Sequence, residues 1–373
     1  MGLTSKKVLA LAILFAVLLF VGTVVLWPRL ARGNWRAVTG RVALLLATQL
    51  AVFASIGLAA NQAFGFYASW ADLFGRESGQ GVVVDHSGGA ARGLRVVDTQ
   101  EVSVPGGGVP RVGGQIQKID VVGQKTGLAS PAYVYLPPEY FQPRFSGRSF
   151  PTTVVLTGYP GTAEALIKGL HFPHTAHKLA QQGRMPPMIL VMMRPTVAPP
   201  RDTECVDVPR GPQTETFFAE DLPAAMSAHY RVAPHPAGWG IIGDSTGGYC
   251  ALKLAVHHPG VYTAAVGLSP SYRAPIDRTT GDLFQGDKRL KQYADLFRYL
   301  KHGRAPDVSL LVTSSKRGEH NYKETLKFID LVTSRPPTRI SSIILDSGGH
   351  NFNTWRREIP GSLEWLGSRL SVR

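Results

Sequence analysis

Two patterns of apolar residues divide the chain. Near its start they are continuous: Val8 to Trp27 (VLALAILFAVLLFVGTVVLW) holds no charge, and Val42 to Ala60 (VALLLATQLAVFASIGLAA) is broken only by Thr48, Gln49 and Ser55. At about 1.5 Å of rise per residue, each run is long enough to cross a bilayer as a helix. The pattern predicts membrane helices over about 8–27 and 42–65, with Tyr67 and Trp70 where interfacial aromatics would sit. Farther along, apolar residues come in short bursts: IDVV, AYVYL, TTVVLTG, MILVMM, WGIIGD, AAVGLS, SLLVTSS and ISSIILDSG. Amphipathic stretches such as ETFFAEDLPAAMSAHY and 247–258 separate the later bursts. Strands alternating with helices predict an α/β fold, a mostly parallel sheet covered on both faces. The first strands follow one another without a long helix, which predicts an antiparallel edge.

Between these regions the chain is rich in Gly, Ser and Pro (RESGQGVVVDHSGGAARGLR, then VSVPGGGVPRVGG) and reads as a flexible tether. The predicted organisation is a membrane anchor over 1–72, a linker over 73–113 and a globular domain over 114–373. Lys6 and Lys7 ahead of the first run also suit a signal peptide, but the run is longer than a usual signal core and no A-x-A-like site follows it. The short loop between the runs carries Arg29, Arg32, Arg36 and Arg41, while Asp72, Arg76 and Glu77 leave the far flank near neutral. The positive-inside rule therefore places the loop in the cytoplasm and the globular domain outside it.

Hydrophobic residues make up 44% and charged residues 18%, ordinary for a globular protein with a membrane segment. The net charge of +14 suits an anionic envelope or membrane surface. It is too diffuse, without a basic recognition helix, to suggest nucleic acid. Cys205 and Cys250 are an even pair that an oxidising compartment would allow to close; two buried free thiols are the alternative.

The candidate chemistry begins at Gly243-Asp244-Ser245-Thr246-Gly247, a G-x-S-x-G pattern. Alone it is weak, but a strand-like run precedes it and a helix-like one follows. A sharp turn there, with Gly243 and Gly247 removing side chains where backbones must pack, would hold Ser245 at the carboxyl edge of the sheet. A serine needs a base, and a third group to orient that base. His350, in LDSGGHNFNTW just after the last strand candidate, suits the base. Glu319, in VTSSKRGEHNY, is preferred for the acid over Asp346, which is too close to His350 in sequence, and over Glu324, on the following helix. In VVLTGYPGTAEAL the Tyr159 amide suits an oxyanion donor beside that of Thr246. Phosphate-loop and dinucleotide glycine patterns are absent, and no cofactor is predicted.

The segments TGYPG, MPPMILVMMRP, RDTECVD, TFFAEDLPAAMSAHYRV, GDSTGGYCALKLAVHHPGVYTAAVGLSPSY and GGHNFNTWRREIP together resemble the esterase D type esterases of the α/β hydrolases. The same branch includes the antigen 85 type mycolyltransferases and feruloyl esterases. The resemblance runs from about Gln115 onward. It implies an α/β-hydrolase fold, a triad of Ser245, Glu319 and His350, and oxyanion amides at Tyr159 and Thr246. The function to expect is thus a membrane-anchored, extracytoplasmic serine esterase or acyltransferase acting on acyl esters, lipid or glycolipid among them. The rival is a catalytically silent hydrolase-fold module that binds envelope lipid or a protein.

Two further features invite simpler readings. His171, His174 and His177 are spread around a helix with no partner motif, so no metal site is predicted. The stretch from Ser271 to Arg304, with Tyr272, Phe284, Tyr293, Phe297 and Tyr299, would suit a wall for an acyl chain but reads more simply as a solvated amphipathic helix.

Overall fold

The structure, a computed structural model, describes residues 6–31, 33–64, 94–101 and 109–372. Arg32, Tyr67, Trp70, Asp72, Arg76, Glu77 and most of the 73–113 segment lie outside the described residues. The chain divides into two compact units, Met1–Ser78 and Gly79–Arg373.

The first unit pairs helix α1 (Lys6–Leu30) with α2 (Trp35–Phe64). Both are long and apolar enough to cross a membrane, and their large side chains face outward, Phe20 61% and Phe53 70% exposed. Two threonine hydroxyls are absorbed within the pair. Thr23 and Thr48 meet at 3.0 Å, and each hydroxyl donates to a carbonyl four residues back. Both helices outrun the apolar stretches that predict them, because apolar content does not mark where helical hydrogen bonding stops.

The second unit is built on nine strands: β1 (Leu94–Glu101), β2 (Gln115–Val122), β3 (Ala129–Leu136), β4 (Thr152–Leu156), β5 (Ile189–Met193), β6 (Trp239–Asp244), β7 (Ala264–Leu268), β8 (Ser309–Ser315) and β9 (Arg339–Leu345). They form one sheet in the order β1-β2-β3-β5-β4-β6-β7-β8-β9. The β1, β2, β3 and β5 pairings are antiparallel; every pairing from β5/β4 to β8/β9 is parallel. The antiparallel edge and parallel remainder are as the pattern of bursts predicts.

Strand β1 corrects the predicted organisation. Leu94 to Glu101 pair with Val121 to Gln115, so the ordered domain starts before Gly114 and the tether cannot run unbroken over 73–113. The Gly- and Pro-rich surroundings of LRVVDTQE hide it when composition is averaged over the whole segment.

Two layers of helix cover the sheet. In chain order they include α3 (Ala163–Lys168), α4 (Phe172–Gln181), α5 (Leu222–His229), α6 (Thr246–His257), α7 (Lys288–Ala294), α8 (Leu296–His302), α9 (Tyr322–Thr333) and α10 (Phe352–Arg369). The period-2 alternation of strand side chains assigns them to opposite cores. Val154, Ile241, Leu310 and Val312 join Phe217, Leu252 and Phe328 on one face; Val155, Ile242 and Leu311 join Leu166, Leu179 and Leu363 on the other.

The Ser271–Arg304 stretch is neither one amphipathic helix nor an aromatic wall. It folds into an irregular segment followed by α7 and α8. Tyr272 is fully buried and stacks on Phe328 at 4.2 Å, and Phe284 packs with Val206, Val208, Leu283 and Ala294. Tyr272 is core because the segment folds back against α9, and Phe284 because it packs against Val206 and Val208, contacts that local periodicity does not encode.

Candidate active site

Ser245 stands between β6 and α6 with φ 53° and ψ −120°, a conformation that non-glycine residues rarely adopt. Its amide donates to the Leu268 carbonyl of the neighbouring strand at 2.9 Å, fixing the turn against the sheet. A side chain at Gly247 would meet the Leu156 carbonyl oxygen at 2.4 Å, and one at Gly243 would meet Gly247 at 2.3 Å. The two glycines therefore permit the close crossing of β4, β6 and α6 that this turn requires.

His350 reaches Ser245 from across the sheet, with Nε2 2.8 Å from the serine oxygen. Its loop leaves β9 and ends at Asn351, whose side chain accepts from the Asn353 and Thr354 amides and caps α10. Glu319 comes from the loop after β8. Two backbone hydrogen bonds join the loops, Lys316 to Leu345 and Gly348 to Arg317, and Gly318, at φ 99°, lies against the Gly348 carbonyl. Glu319 Oε1 thereby comes within 3.7 Å of His350 Nδ1, a contact longer than a hydrogen bond. The Glu319 side chain is 1% exposed and the His350 side chain 51%. Asp346 instead points to solvent and pairs with Lys316, and Glu324 is held by Arg273.

The loop after β4 closes the other side. The Gly158 amide donates to Asp244 Oδ2 at 2.9 Å, and a side chain at Gly158 would come within 2.9 Å of the Ser245 Cβ. Tyr159 follows, its hydroxyl tied to the Pro200 carbonyl. Among the described residues no hydrogen bond within the chain claims the Tyr159 or Thr246 amide. Both are thus free to donate beside the serine.

Several buried acids near the serine are specified by no sequence motif. Asp244, the middle residue of Gly-Asp-Ser, is fully buried, and burial pushes its carboxyl up to about 7. Glu358 on α10 faces Glu319 and accepts from Thr313 at 2.7 Å; burial and then that neighbouring charge raise it to about 8. Thr313 also accepts from the Ser269 amide, and Ser269 accepts from the Trp355 indole, whose ring meets His350 edge-on at 5.1 Å. This chain of contacts supports the imidazole from below. Trp355 and Glu358, three apart in NTWRREIP, were detectable as one helix face after His350.

On the far side, Asp202 and Glu204 are buried, and the Glu204 amide donates to Asp202 Oδ1 at 3.1 Å. Burial raises Asp202 to about 6 and Glu204 well above the usual carboxylate range. Cys205 and Cys250 form a disulfide that joins this loop to α6. Among the described residues, His171, His174 and His177 gather no set of three metal-ligating side chains.

A mostly parallel sheet with an antiparallel edge, carrying a strained serine between strand and helix with a histidine after the last strand, defines an α/β hydrolase. Residues 123–366 match the family model described as "Putative esterase", and the chain belongs to that esterase family of hydrolases. An uncharacterized protein of Corynebacterium glutamicum is 24% identical over 264 residues, spanning 65% of this chain and 58% of that relative. Among solved structures, a ferulic acid esterase aligns with TM-score 0.58 and 17% identity over 68% of this chain and 98% of its own. An S-formylglutathione hydrolase from Agrobacterium tumefaciens gives 0.57 and 15% over 74% and 100%. A fluorophosphonate-binding serine hydrolase of Staphylococcus aureus gives 0.54 and 16% over 68% and 98%. At these identities the likeness is one of fold.

Proposed function

We propose that this protein is a serine esterase, with Ser245 as nucleophile, His350 as general base and Glu319 as its orienting acid. The observation that carries the reading is the 2.8 Å contact between His350 Nε2 and a serine held in a strained strand-to-helix turn. A serine hydroxyl alone is a poor nucleophile; an imidazole at this distance takes its proton as the oxygen attacks the ester carbonyl. Glu319, buried and close to Nδ1, offsets the charge the imidazole then acquires. The Tyr159 and Thr246 amides donate to the tetrahedral oxyanion. His350 next gives its proton to the leaving alcohol, and water resolves the acyl-enzyme. The half-exposed imidazole favours water over a second alcohol as the acceptor, so hydrolysis is preferred to acyl transfer. The complete arrangement weighs against a silent binding module.

The same reading places the enzyme at a membrane, anchored by α1 and α2, with the hydrolase unit outside the cytoplasm. The apolar helices, the arginines of their connecting loop and the Cys205–Cys250 disulfide support it. Acyl esters, lipid and glycolipid among them, are the substrates within reach of such an enzyme.

The test uses the full chain in neutral detergent with p-nitrophenyl esters of rising chain length and a fluorophosphonate probe. Ser245→Ala should abolish labelling and lower kcat by roughly 10³-fold or more. Labelling that persisted in a folded Ser245→Ala protein would exclude Ser245 as the nucleophile.

A further inference from the structure

Helices α8 and α9 flank a groove of about 910 Å³. Helical spacing sets Arg298 and Lys301, three apart, on one wall, and Lys323 and Lys327, four apart, on the other. His302 and His320 also line it. The carboxylates there, Asp295 and Glu324, are both engaged by Arg273, whose guanidinium also lies 5.0 Å over the Phe297 ring. Among the described residues, Arg298, Lys301, Lys323 and Lys327 have no carboxylate within ion-pair distance. Gathering like charges around a concavity costs free energy and focuses a positive potential into it. That arrangement favours an anion in the groove.

We propose that this groove is a binding site for a phosphate ester, separate from Ser245. A carboxylate offers one charge and two oxygens. A phosphate group offers more acceptor oxygens and, as a monoester, up to two charges, enough to bridge cations from facing helices. Phe297 and Leu331 in the lining supply apolar contact for the organic part of the ester. The ligand is therefore an organic phosphate, whether the headgroup of a glycerophospholipid or a free phosphate ester. His320, which lines the groove, directly follows Glu319, so the occupant lies beside the loop that carries the acid of the Ser245 site.

Calorimetric titration of the full chain in maltoside micelles tests the site. The probes are glycerol 3-phosphate, dihexanoyl phosphatidylglycerol and, as zwitterionic control, dihexanoyl phosphatidylcholine, each in about 50 mM and about 500 mM NaCl. Saturable binding of the anionic probes is expected, weakened about tenfold or more by the higher salt and by the Lys323→Gln/Lys327→Gln pair. Phosphatidylglycerol binding well above glycerol 3-phosphate would identify a lipid headgroup site; equal binding would identify a site for the phosphate ester itself. Arg298→Gln/Lys301→Gln on the opposite wall repeats the test should the first pair melt early. Absence of saturable binding would overturn the proposal, as would equal binding of the zwitterionic lipid or full affinity in both folded variants.

Discussion

Ser245 holds a left-handed backbone conformation that costs a non-glycine residue on the order of 1–3 kcal/mol, sustained here by the Leu268 hydrogen bond and the crossing at Gly247. Its motif, and His350 after the last strand, were legible because both follow from chain order in a parallel sheet. The acid was less so: position along the chain favoured Glu319 over the chemically similar Asp346 and Glu324, and the stitched loops are what bring it within 3.7 Å of His350. Glu319→Gln should lower kcat about 10²- to 10⁴-fold with little change in KM, whereas Asp346→Asn should leave both near wild type, as steady-state ester hydrolysis will show. Glu358 supports a second prediction. Burial raises its folded pKa to about 8, above the value in an unfolded chain, so the folded protein binds the extra proton. The stability linked to that proton is full below the unfolded pKa and is lost as pH rises through about 8. Glu358→Gln should flatten the decline in Tm between acidic and mildly alkaline pH, gaining on the order of 1–3 kcal/mol at the alkaline end. An unchanged pH profile would show that Glu358 does not bind that proton.

At the scale of elements, α6 is held from two directions. The disulfide joins it to the Asp202–Cys205 loop, and Lys253, fully buried, donates to the Cys205 carbonyl at 2.6 Å and to Glu215 at 2.5 Å. Burial alone would raise the Glu215 carboxyl, yet Lys253 beside it, aided by His258, holds it well below the usual carboxylate range. Tyr293 on α7 also donates to Glu215, so one carboxylate ties its own segment and α7 to the helix that begins at Thr246. Breaking a buried pair on one side leaves a charge without compensation. Lys253→Met should cost about 3–5 kcal/mol in denaturant unfolding, and adding Glu215→Leu should restore much of it. Equal losses in the single and double variants would show that packing, not charge, holds this junction. A lysine inside a helix face reads in sequence as solvated, and nothing local to KLAVHH signals its partner.

At the scale of the whole molecule, the mostly parallel sheet and its antiparallel edge were legible in outline and the outermost strand was not. Alternating bursts and helices imply parallel strands, since each crossover must return the chain to the same end of the sheet. The pairing of Leu94–Glu101 with β2 instead depends on a short segment whose neighbours carry the signature of a tether. The proposed topology is open to a direct test. With both native cysteines bonded, Asn34→Cys and Val372→Cys supply single free thiols in separate proteins. A membrane-impermeant maleimide should label the Val372→Cys protein in intact cells and the Asn34→Cys protein only after permeabilisation. The reverse pattern would place the hydrolase unit in the cytoplasm.

By itself the sequence determined the features that depend on local order along the chain: two apolar helices, the alternation of strands and helices, and a serine and histidine at strand ends. Periodicity and chain order carry these because backbone geometry repeats over a few residues. Tertiary structure decided how near Glu319 comes to His350, that Asp244 and Glu358 are buried, and that cations from two helices line one groove. Those outcomes depend on contacts between segments far apart in sequence, where distance and solvent exclusion, rather than spacing, set the chemistry of each side chain.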